Sequence, residues 1–444
     1  MTLNVEVFKN RRKKLFDVLE EGIALIPSSG YQTKSHDTDF PFRQDSNFNY
    51  LTGFGEAQSL LVICKNHAEH NSFLFLRPKD QFAEQWSGRR LGLEKAKEEL
   101  GIDHVFSIDD LDKELPNLLL GHKNVYLDMF GSSEFLGKIL GLCQKVGMGK
   151  KNKKHKPEKF INLPPIIGKM RLLKEDLELD LLKKASTISS HAHRAAMAFT
   201  SAGKNESEVA ALMDYIFRKE GGHGNAYESI VAGGDNANIL HYINNNMILN
   251  DNELLLIDAG CEYHLYASDI TRTFPVGGKF SPIQKEIYEI VLEAQKKVIG
   301  QVAVGKTLTE NHDVAVKVLA QGLKDLGVFK ESLEEIIEKN LHRTYYPHGT
   351  GHWLGLDVHD NSPYLTDELN DIKFAPGMVF TVEPGLYFPK DDEKIPENLR
   401  GIGIRIEDDI LVTEKGFENL SSDIPKTIQE VEDACAKDYR TFLL

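Results

Sequence analysis

The chain has 444 residues, 41% of them hydrophobic, and a formal net charge of -14 at pH 7. At roughly 150 residues per domain, this length favours two or three domains that each bury a core. The sequence contains no apolar run of about 18 residues, which argues against a transmembrane helix and a membrane partner. The acidic balance argues against nucleic acid as a partner.

The cysteine pattern and the N-terminal segment bear on the cellular compartment. The cysteines are widely spaced and form no Cys-x-x-Cys pair, which is typical of reduced thiols: Cys64, Cys143, Cys261 and Cys435. The N-terminal segment lacks the apolar core of a signal peptide, and acids such as Glu6 and Asp17 are unlike an acid-poor transit peptide. We therefore expect a cytoplasmic protein.

The first part of the chain alternates between helical and strand patterns. Helices are predicted over residues 6–21 and 94–100, and strands over residues 22–26, 59–65, 72–76 and 124–128. This alternation predicts an α/β layer domain.

A domain boundary is predicted near residue 170. Residues 150–159 form a dense basic stretch, which we interpret as a solvated loop rather than a surface for RNA or membranes. A proline-bearing connector follows, and residues 174–200 then show helical periodicity. We expect domains at residues 1–170 and 171–444.

Two predicted strands of the second domain carry aspartates. Residues 253–258 form an apolar run that ends at Asp258 and an Ala-Gly pair, which is typical of a buried strand. Asp269, Thr271 and Thr273 recur at period two on a second strand. Antiparallel pairing of these strands would place Asp258 and Asp269 side by side.

The segment from His348 to Asp360 contains three histidines, His348, His352 and His359, separated by glycines that leave room for a substrate. Further along, residues 378–383 and 402–412 form a second predicted strand pair that ends at Glu383 and carries Glu407. Arg405 lies two residues before Glu407, on the same predicted strand face. It is either a charge partner of the acids or a plain buried ion pair.

The chemistry of these residues points to metal ions. An imidazole with several carboxylates and no cysteine is a ligand set suited to Mn²⁺, Co²⁺, Fe²⁺ or Zn²⁺. Four carboxylates are too many for one divalent ion, and a bridging carboxylate can hold two ions about 3.5–4 Å apart. A water between two such ions would be ionised near neutral pH and directed at a carbonyl or phosphoryl centre.

The residues resemble a known family. Asp258, Asp269, His352, Glu383 and Glu407 match the dinuclear metal set of the pita-bread metallopeptidases in order and context. The phrases His-Gly-Thr-Gly-His-Trp-Leu-Gly-Leu-Asp-Val-His-Asp, Thr-Val-Glu-Pro-Gly-Leu-Tyr and Arg-Gly-Ile-Gly-Ile-Arg-Ile-Glu-Asp-Asp resemble aminopeptidase P in particular. The resemblance implies an α+β protein, with a C-terminal pita-bread catalytic domain after an α/β N-terminal domain. It also implies two divalent ions, with Mn²⁺ preferred, and substrates with N-terminal Xaa-Pro.

The resemblance also implies roles for individual residues. Glu383 would be both ligand and base, His359 would hydrogen-bond the developing oxyanion or the adjacent proline carbonyl, and His348 would shape the pocket around the scissile bond. The substrate-binding residues implied are His241, Arg405, Tyr387, Asp37 and Trp86. In this family the N-terminal domain helps to assemble oligomers and can lend residues matching Asp37 and Trp86 to a neighbour, so we expect a homodimer or homotetramer.

Two other functions stay open at this point. A prolidase, on the same fold, would cleave Xaa-Pro dipeptides and needs a cation for the free carboxylate. A non-catalytic pita-bread protein would bind peptides without cleaving them, but such a protein is expected to lose metal ligands, and this sequence has all five.

Overall fold

The computed structural model describes residues 4–66, 69–147 and 154–443. The chain divides into two compact units, Met1–Met170 and Arg171–Leu444, which we call unit 1 and unit 2. Of the basic stretch 150–159, residues 150–153 lie outside the described residues. In the described part of the chain, no helix has both the length and the apolarity needed to cross a bilayer.

Unit 1 is an α/β unit. In the described residues its helices are α1 (Val5–Val18), α2 (Ser46–Thr52), α3 (Gln81–Ser87), α4 (Leu93–Glu99), α5 (Leu111–Leu119), α6 (Ser133–Gly147) and α7 (Pro164–Arg171), which ends at the first residue of unit 2. Its strands are β1 (Gly22–Pro27), β2 (Thr33–Ser35), β3 (Thr38–Asp39), β4 (Leu60–Asn66), β5 (Glu69–Leu76), β6 (His104–Ser107), β7 (Asn124–Leu127) and β8 (Lys159–Asn162). A mixed sheet has the order β6-β5-β4-β1-β7-β8. The predicted alternation of helices and strands is therefore confirmed.

Two arginines of α1 support unit 1 from within. Arg11 donates to Tyr50 O at 3.2 Å, and Arg12 donates to Leu51 O at 2.8 Å and to Gly101 O at 2.7 Å. Carbonyls at the end of a helix have no partner inside that helix, so the contacts to Tyr50 and Leu51 satisfy acceptors at the end of α2.

Unit 2 combines helices with several small sheets. In the described residues its helices are α8 (Asp176–Phe199), α9 (Glu206–Lys219), α10 (Pro282–Gly300), α11 (Leu308–Asp325), α12 (Leu333–Glu338) and α13 (Ile428–Cys435). Its strands are β9 (Gly224–Asn225), β10 (Ile230–Gly233), β11 (Leu254–Asp258), β12 (Cys261–Tyr263), β13 (Tyr266–Ala267), β14 (Thr271–Pro275), β15 (Val379–Val382), β16 (Gly385–Phe388), β17 (Ile402–Arg405), β18 (Asp408–Thr413) and β19 (Gly416–Asn419). The sheets are β10-β11-β14, β13-β12-β9, β15-β18-β19 and β16-β17. One apolar core packs the helices against these strands.

The first predicted strand pair exists, but Asp269 is not part of it. Strands β11 and β14 are antiparallel, with Asp258 opposite Thr271. Asp269 precedes β14 and so is not part of the predicted strand. The two aspartates nevertheless lie side by side as predicted, because one tyrosine hydroxyl contacts both carboxylates. The Asp269 N–H donates to the carboxylate of Asp409, at 3.3 Å to each oxygen, instead of entering the ladder.

The second predicted pair is more broken than the sequence suggested. Residues 402–412 form two strands instead of one, since β17 pairs with β16 and β18 pairs with β15. Between them, the Ile406 N–H donates to Pro384 O at 3.3 Å and the Glu407 N–H donates to Thr271 O at 3.0 Å. Pro384 has no N–H to donate and separates β15 from β16. At this point the pairing therefore switches from β15 with β18 to β16 with β17. Glu407 therefore lies beside β14.

A buried ion pair stabilises this break. Arg272 on β14 and Asp408 on β18 are fully buried, with Nη2 and Oδ1 2.6 Å apart. Arg272 also donates to Glu407 O at 2.6 Å. Asp408 accepts hydrogen bonds from Lys426 at 2.5 Å and from Gln295 at 3.0 Å. The ion pair therefore joins β14, which pairs with the strand that ends at Asp258, to β18, which begins directly after Glu407.

We predict that Asp408→Ala destabilises the protein by about 3–5 kcal/mol, because Arg272 would keep a buried charge without its partner. Denaturant unfolding of the metal-free protein measures this change. The control Asp180→Ala removes an exposed acid from α8 and should change stability by less than about 0.5 kcal/mol. Equal stabilities of the two variants would contradict the assignment.

Candidate metal centre and substrate site

Three side chains of unit 2 lie close enough to hold one ion. Asp269, His352 and Glu407 each offer a ligand atom, and these atoms all lie within 4.8 Å of one another. Glu383 borders the group, with Oε1 3.7 Å from His352 Nε2. Asp258 also borders the group, because one hydroxyl, that of Tyr227, contacts both Asp258 and Asp269. The structure thus brings all five predicted ligands into one region.

The hydroxyl of Tyr227 lies between Asp258 and Asp269. Its oxygen is 2.6 Å from Asp258 Oδ1 and 2.5 Å from Asp269 Oδ1, so two carboxylates share one proton. Burial and the two carboxylates raise the pKa of Tyr227 well above its usual value. Sequence reasoning missed Tyr227, because a single tyrosine far upstream of Asp258 belongs to no recognisable pattern.

A close backbone approach fixes the turn that follows Asp258. A Cβ at Gly260 would lie 1.7 Å from Ser268 O, so only glycine fits. From α8, His193 Nε2 lies 2.9 Å from Ala259 O. Burial lowers the pKa of His193 to about 4, so the ring is neutral and Nε2 donates its hydrogen to this carbonyl.

His352 is fixed by β15. The Thr381 N–H donates to His352 O at 2.9 Å, and the His352 N–H donates to Thr381 Oγ1 at 3.1 Å. A Cβ at Gly351 would lie 1.9 Å from Thr381 O, so this approach also requires glycine. His352 Nε2 lies 3.3 Å from Asp269 Oδ2. Burial alone would lower the pKa of His352, but Asp269 and Glu383 raise it to about 9.

The carboxylates strongly oppose one another's ionisation. Burial raises the pKa of Asp258, of Glu383 and of Glu407, and the charge of Asp269 raises each of them further. Burial alone would also raise the pKa of Asp269, but the hydrogen bond from His352 lowers it below its usual value. Burying several carboxylates together is costly without cations, so the donor set fits divalent ions.

Arg405 links the acidic region to the histidines. Its Nη2 donates to Asp258 Oδ2 at 2.6 Å, its Nη1 donates to Tyr387 OH at 2.9 Å, and its Nε donates to Thr271 Oγ1 at 3.1 Å. His348 Nε2 lies 2.8 Å from Tyr387 OH. Burial and the charge of Arg405 lower the pKa of His348 to about 3, so this ring is neutral. Of the two interpretations left open for Arg405, the contacts favour a charge partner of the acids.

His241 and His359 lie at the exposed side of the region. The rings of His359 and His352 are 4.1 Å apart between centroids. Burial is the main cause that lowers the pKa values of His348 and His359, and the charge of His241 lowers both further. His241, His348 and His359, which are not predicted metal ligands, therefore lie near one another.

The structure places Asp37 and Trp86 on the surface of unit 1, where Trp86 is 81% exposed. Their substrate roles stay predictions.

Thr350 and its hydrogen-bond partners hold Glu383 in place, and the sequence did not reveal this contact either. The Glu383 N–H donates to Thr350 O at 2.9 Å. Thr350 Oγ1 lies 2.9 Å from His312 Nδ1 on α11 and 2.6 Å from Tyr346 OH. Thr350 lies within the histidine-rich segment, but no spacing indicated that it would contact α11.

Comparisons with known proteins agree with this site. The model of metallopeptidase family M24 matches residues 180–414, and that of the aminopeptidase P N-terminal domain matches residues 8–126. The chain is 41% identical over 428 residues to an Xaa-Pro aminopeptidase of Escherichia coli and 39% identical over 433 residues to one of Haemophilus influenzae, with 96% of both chains covered in each case.

Solved structures are similar along nearly the whole chain. Aminopeptidase PepP of Pseudomonas aeruginosa has a TM-score of 0.96 and 37% identity, covering 99% of this chain and 100% of its own. Zinc-substituted Escherichia coli aminopeptidase P in complex with product has a TM-score of 0.95 and 39% identity, covering 98% and 99%. The chain belongs to metallopeptidase family M24, with a C-terminal pita-bread domain preceded by an aminopeptidase P N-terminal domain. The family and fold class predicted from the sequence are confirmed.

We predict that divalent metal binding to the metal-free protein tightens as the pH rises from about 6 to about 9. His352, with a pKa of about 9, must lose its proton before it can act as a ligand. The raised pKa values of Glu383 and Glu407 act in the same direction. Calorimetric titration with Mn²⁺ in two buffers of different ionisation enthalpy measures the affinity and the protons released.

The matched control is His191→Ala, which removes a histidine of α8 whose Nδ1 contacts Glu220 at 2.9 Å. This variant should keep the same pH dependence. A metal affinity that does not change with pH, with no proton release, would contradict the role of His352.

Proposed function

We propose that this chain is an Xaa-Pro aminopeptidase, which removes the first residue of a peptide whose second residue is proline. The main support is that five candidate metal ligands lie together beside His241, His348 and His359 in one unit. The near full-length identity to Xaa-Pro aminopeptidases supports the same substrate class. Proline in the second position of the peptide makes the scissile amide tertiary, so this amide lacks the N–H that many peptidases bind.

The residues that would hold two divalent ions are Asp258, Asp269, His352, Glu383 and Glu407. Such ions would supply Lewis acidity for the substrate carbonyl and lower the pKa of an attacking water. We prefer Mn²⁺ over Co²⁺, Zn²⁺ or Fe²⁺ because of the carboxylate-rich donor set. This preference rests on ligand chemistry alone.

Glu383 is the proposed general base. Its carboxylate lies between His352 and His348, with Oε2 3.6 Å from His348 Nδ1. Burial and neighbouring acids raise its pKa, which brings the group closer to the operating pH where proton transfer in both directions is efficient. Glu383 would take a proton from the attacking water and deliver it to the proline nitrogen as that nitrogen leaves.

The histidines would bind and orient the substrate. His348 is neutral, and its Nδ1 lies 2.7 Å from the carbonyl of Gly349, so Nδ1 donates there and Nε2 accepts the hydroxyl of Tyr387. His359, next to His352 and exposed, is free to donate to the developing oxyanion or to the proline carbonyl. His241 would line the pocket for the proline ring.

Arg405 and Tyr387 would act on the substrate through the groups that they orient. Arg405 contacts Asp258, and Tyr387 contacts His348, so the pair fixes a metal ligand and a pocket histidine relative to each other. We also propose, on the family resemblance, a homodimer or homotetramer in which Asp37 and Trp86 reach a neighbour's substrate. A cytoplasmic location remains a proposal from the cysteine pattern.

The deciding experiment compares three peptides. We predict rapid release of Ala from Ala-Pro-Ala by metal-loaded protein and little or no cleavage of the dipeptide Ala-Pro. Ala-Ala-Ala is the control for proline specificity and should be cleaved poorly. Product analysis by chromatography measures all three. Faster cleavage of Ala-Pro than of Ala-Pro-Ala would make the protein a prolidase, and cleavage of neither by metal-loaded protein would make it a binding protein.

We predict that His359→Ala lowers kcat more than it raises KM, because a donor directed at the oxyanion acts mainly in the transition state and is worth about 10²–10³ in rate. Steady-state kinetics on Ala-Pro-Ala measure both constants. Metal content serves as the control and should be unchanged. Loss of an ion from this variant would make His359 a ligand instead of a donor to the substrate.

A further inference from the structure

The segment that carries His241 is anchored by one buried acid of α9. Glu206 is the first residue of α9 and is fully buried, although it is charged in its usual form. Within the described residues, no lysine, arginine or histidine forms an ion pair with it. A buried carboxylate without a counter-ion needs other partners.

Four hydrogen-bond donors supply those partners, and all belong to the segment 233–247. Glu206 Oε1 accepts from the Gly233 N–H at 2.8 Å and from Asn236 Nδ2 at 2.9 Å. Oε2 accepts from Tyr242 OH at 2.8 Å and from the Met247 N–H at 3.0 Å. The start of a helix also stabilises a negative charge there.

Residues at the start of α9 also bind the C-terminal end of this segment. The Glu206 N–H donates to Met247 O at 3.0 Å, so backbone and side chain of Glu206 both bind Met247. Asn205, the N-cap of α9, donates to Asn246 O at 2.9 Å. The segment is therefore held at both ends and in the middle by one turn of α9.

His241 lies inside this segment, directly before Tyr242. Its side chain is exposed, and in the described part of the chain its ring makes no hydrogen bond. The position of the ring therefore depends on the backbone, which the hydrogen bond from Tyr242 to Glu206 holds in place. Displacement of a pocket residue by about 1 Å can cost on the order of 10² in rate.

We propose that Glu206 is the positioning residue for His241 in the substrate pocket. This inference rests on the proposed aminopeptidase function, since His241 is assigned to the substrate there. Glu206 does not touch substrate; it binds both ends of the segment and the neighbour of His241.

A double-mutant cycle tests the proposal. The variants are Glu206→Gln, His241→Ala and the two combined, assayed for kcat and KM with metal-loaded protein on Ala-Pro-Ala. Glutamine places an NH₂ group against two of the donors, so Glu206→Gln should lower kcat/KM by about tenfold in the wild-type background. In the His241→Ala background the same substitution should cost less than about twofold, because its target is already absent.

The control is Glu208→Gln, which removes an equal charge from the same turn. Glu208 is exposed and completes the capping box of α9, a role that glutamine also fills. It should leave kcat/KM unchanged. Hydrogen exchange adds a readout independent of activity, since segment 233–247 should exchange faster in Glu206→Gln and not in Glu208→Gln.

The outcomes separate the two proposals. Inactive wild-type protein would overturn the proposed function. Active wild-type protein with an equal loss from Glu206→Gln in both backgrounds, or with no loss, would overturn the role of Glu206 alone. If Glu206→Gln fails to fold, Tyr242→Phe removes only one of the four donors and decides the question by the same cycle.

Discussion

The repulsion among four carboxylates, three of them buried and Glu383 partly buried, is the constraint on which the rest of unit 2 depends. Asp258, Asp269, Glu383 and Glu407 lie near one another, and two like charges about 4 Å apart repel by about 4 kcal/mol at an effective dielectric constant of about 20. One buried arginine, Arg405, offsets a part of this charge. The remainder suits divalent cations, so the fold has to keep the acids together before any ion binds.

Rigid contacts behind the acids resist this repulsion. The Arg272–Asp408 pair joins the strands beside Glu407, Tyr227 shares its proton between two aspartates, and close backbone approaches require glycine at Gly260 and Gly351. Each contact restricts the position of a ligand or of the backbone that carries it. Such support from outside the ligand set is what fixes ligand orientation in metal sites. The Glu206 anchor would extend the same principle from the ligands to the substrate pocket.

Sequence patterns predicted the parts of this site that depend on local order. An apolar run ending in Asp258 gave a strand with its acid at the end, because burial and strand periodicity are local properties. The break at Glu407 was not predictable, since it depends on Pro384 and on a hydrogen bond to a strand far away in sequence. Tyr227 and Glu206 were not predicted for the same reason, since their partners are distant in the chain and no motif marks them.

The metal content of active protein tests this account most directly. We predict about two divalent ions per chain by elemental analysis, a stoichiometry typical of two-metal hydrolases. Glu407→Gln should contain clearly fewer ions and should lose hydrolysis of Ala-Pro-Ala, while its circular dichroism stays that of the wild type because the core is apolar. Full metal content and normal hydrolysis in Glu407→Gln would contradict the account.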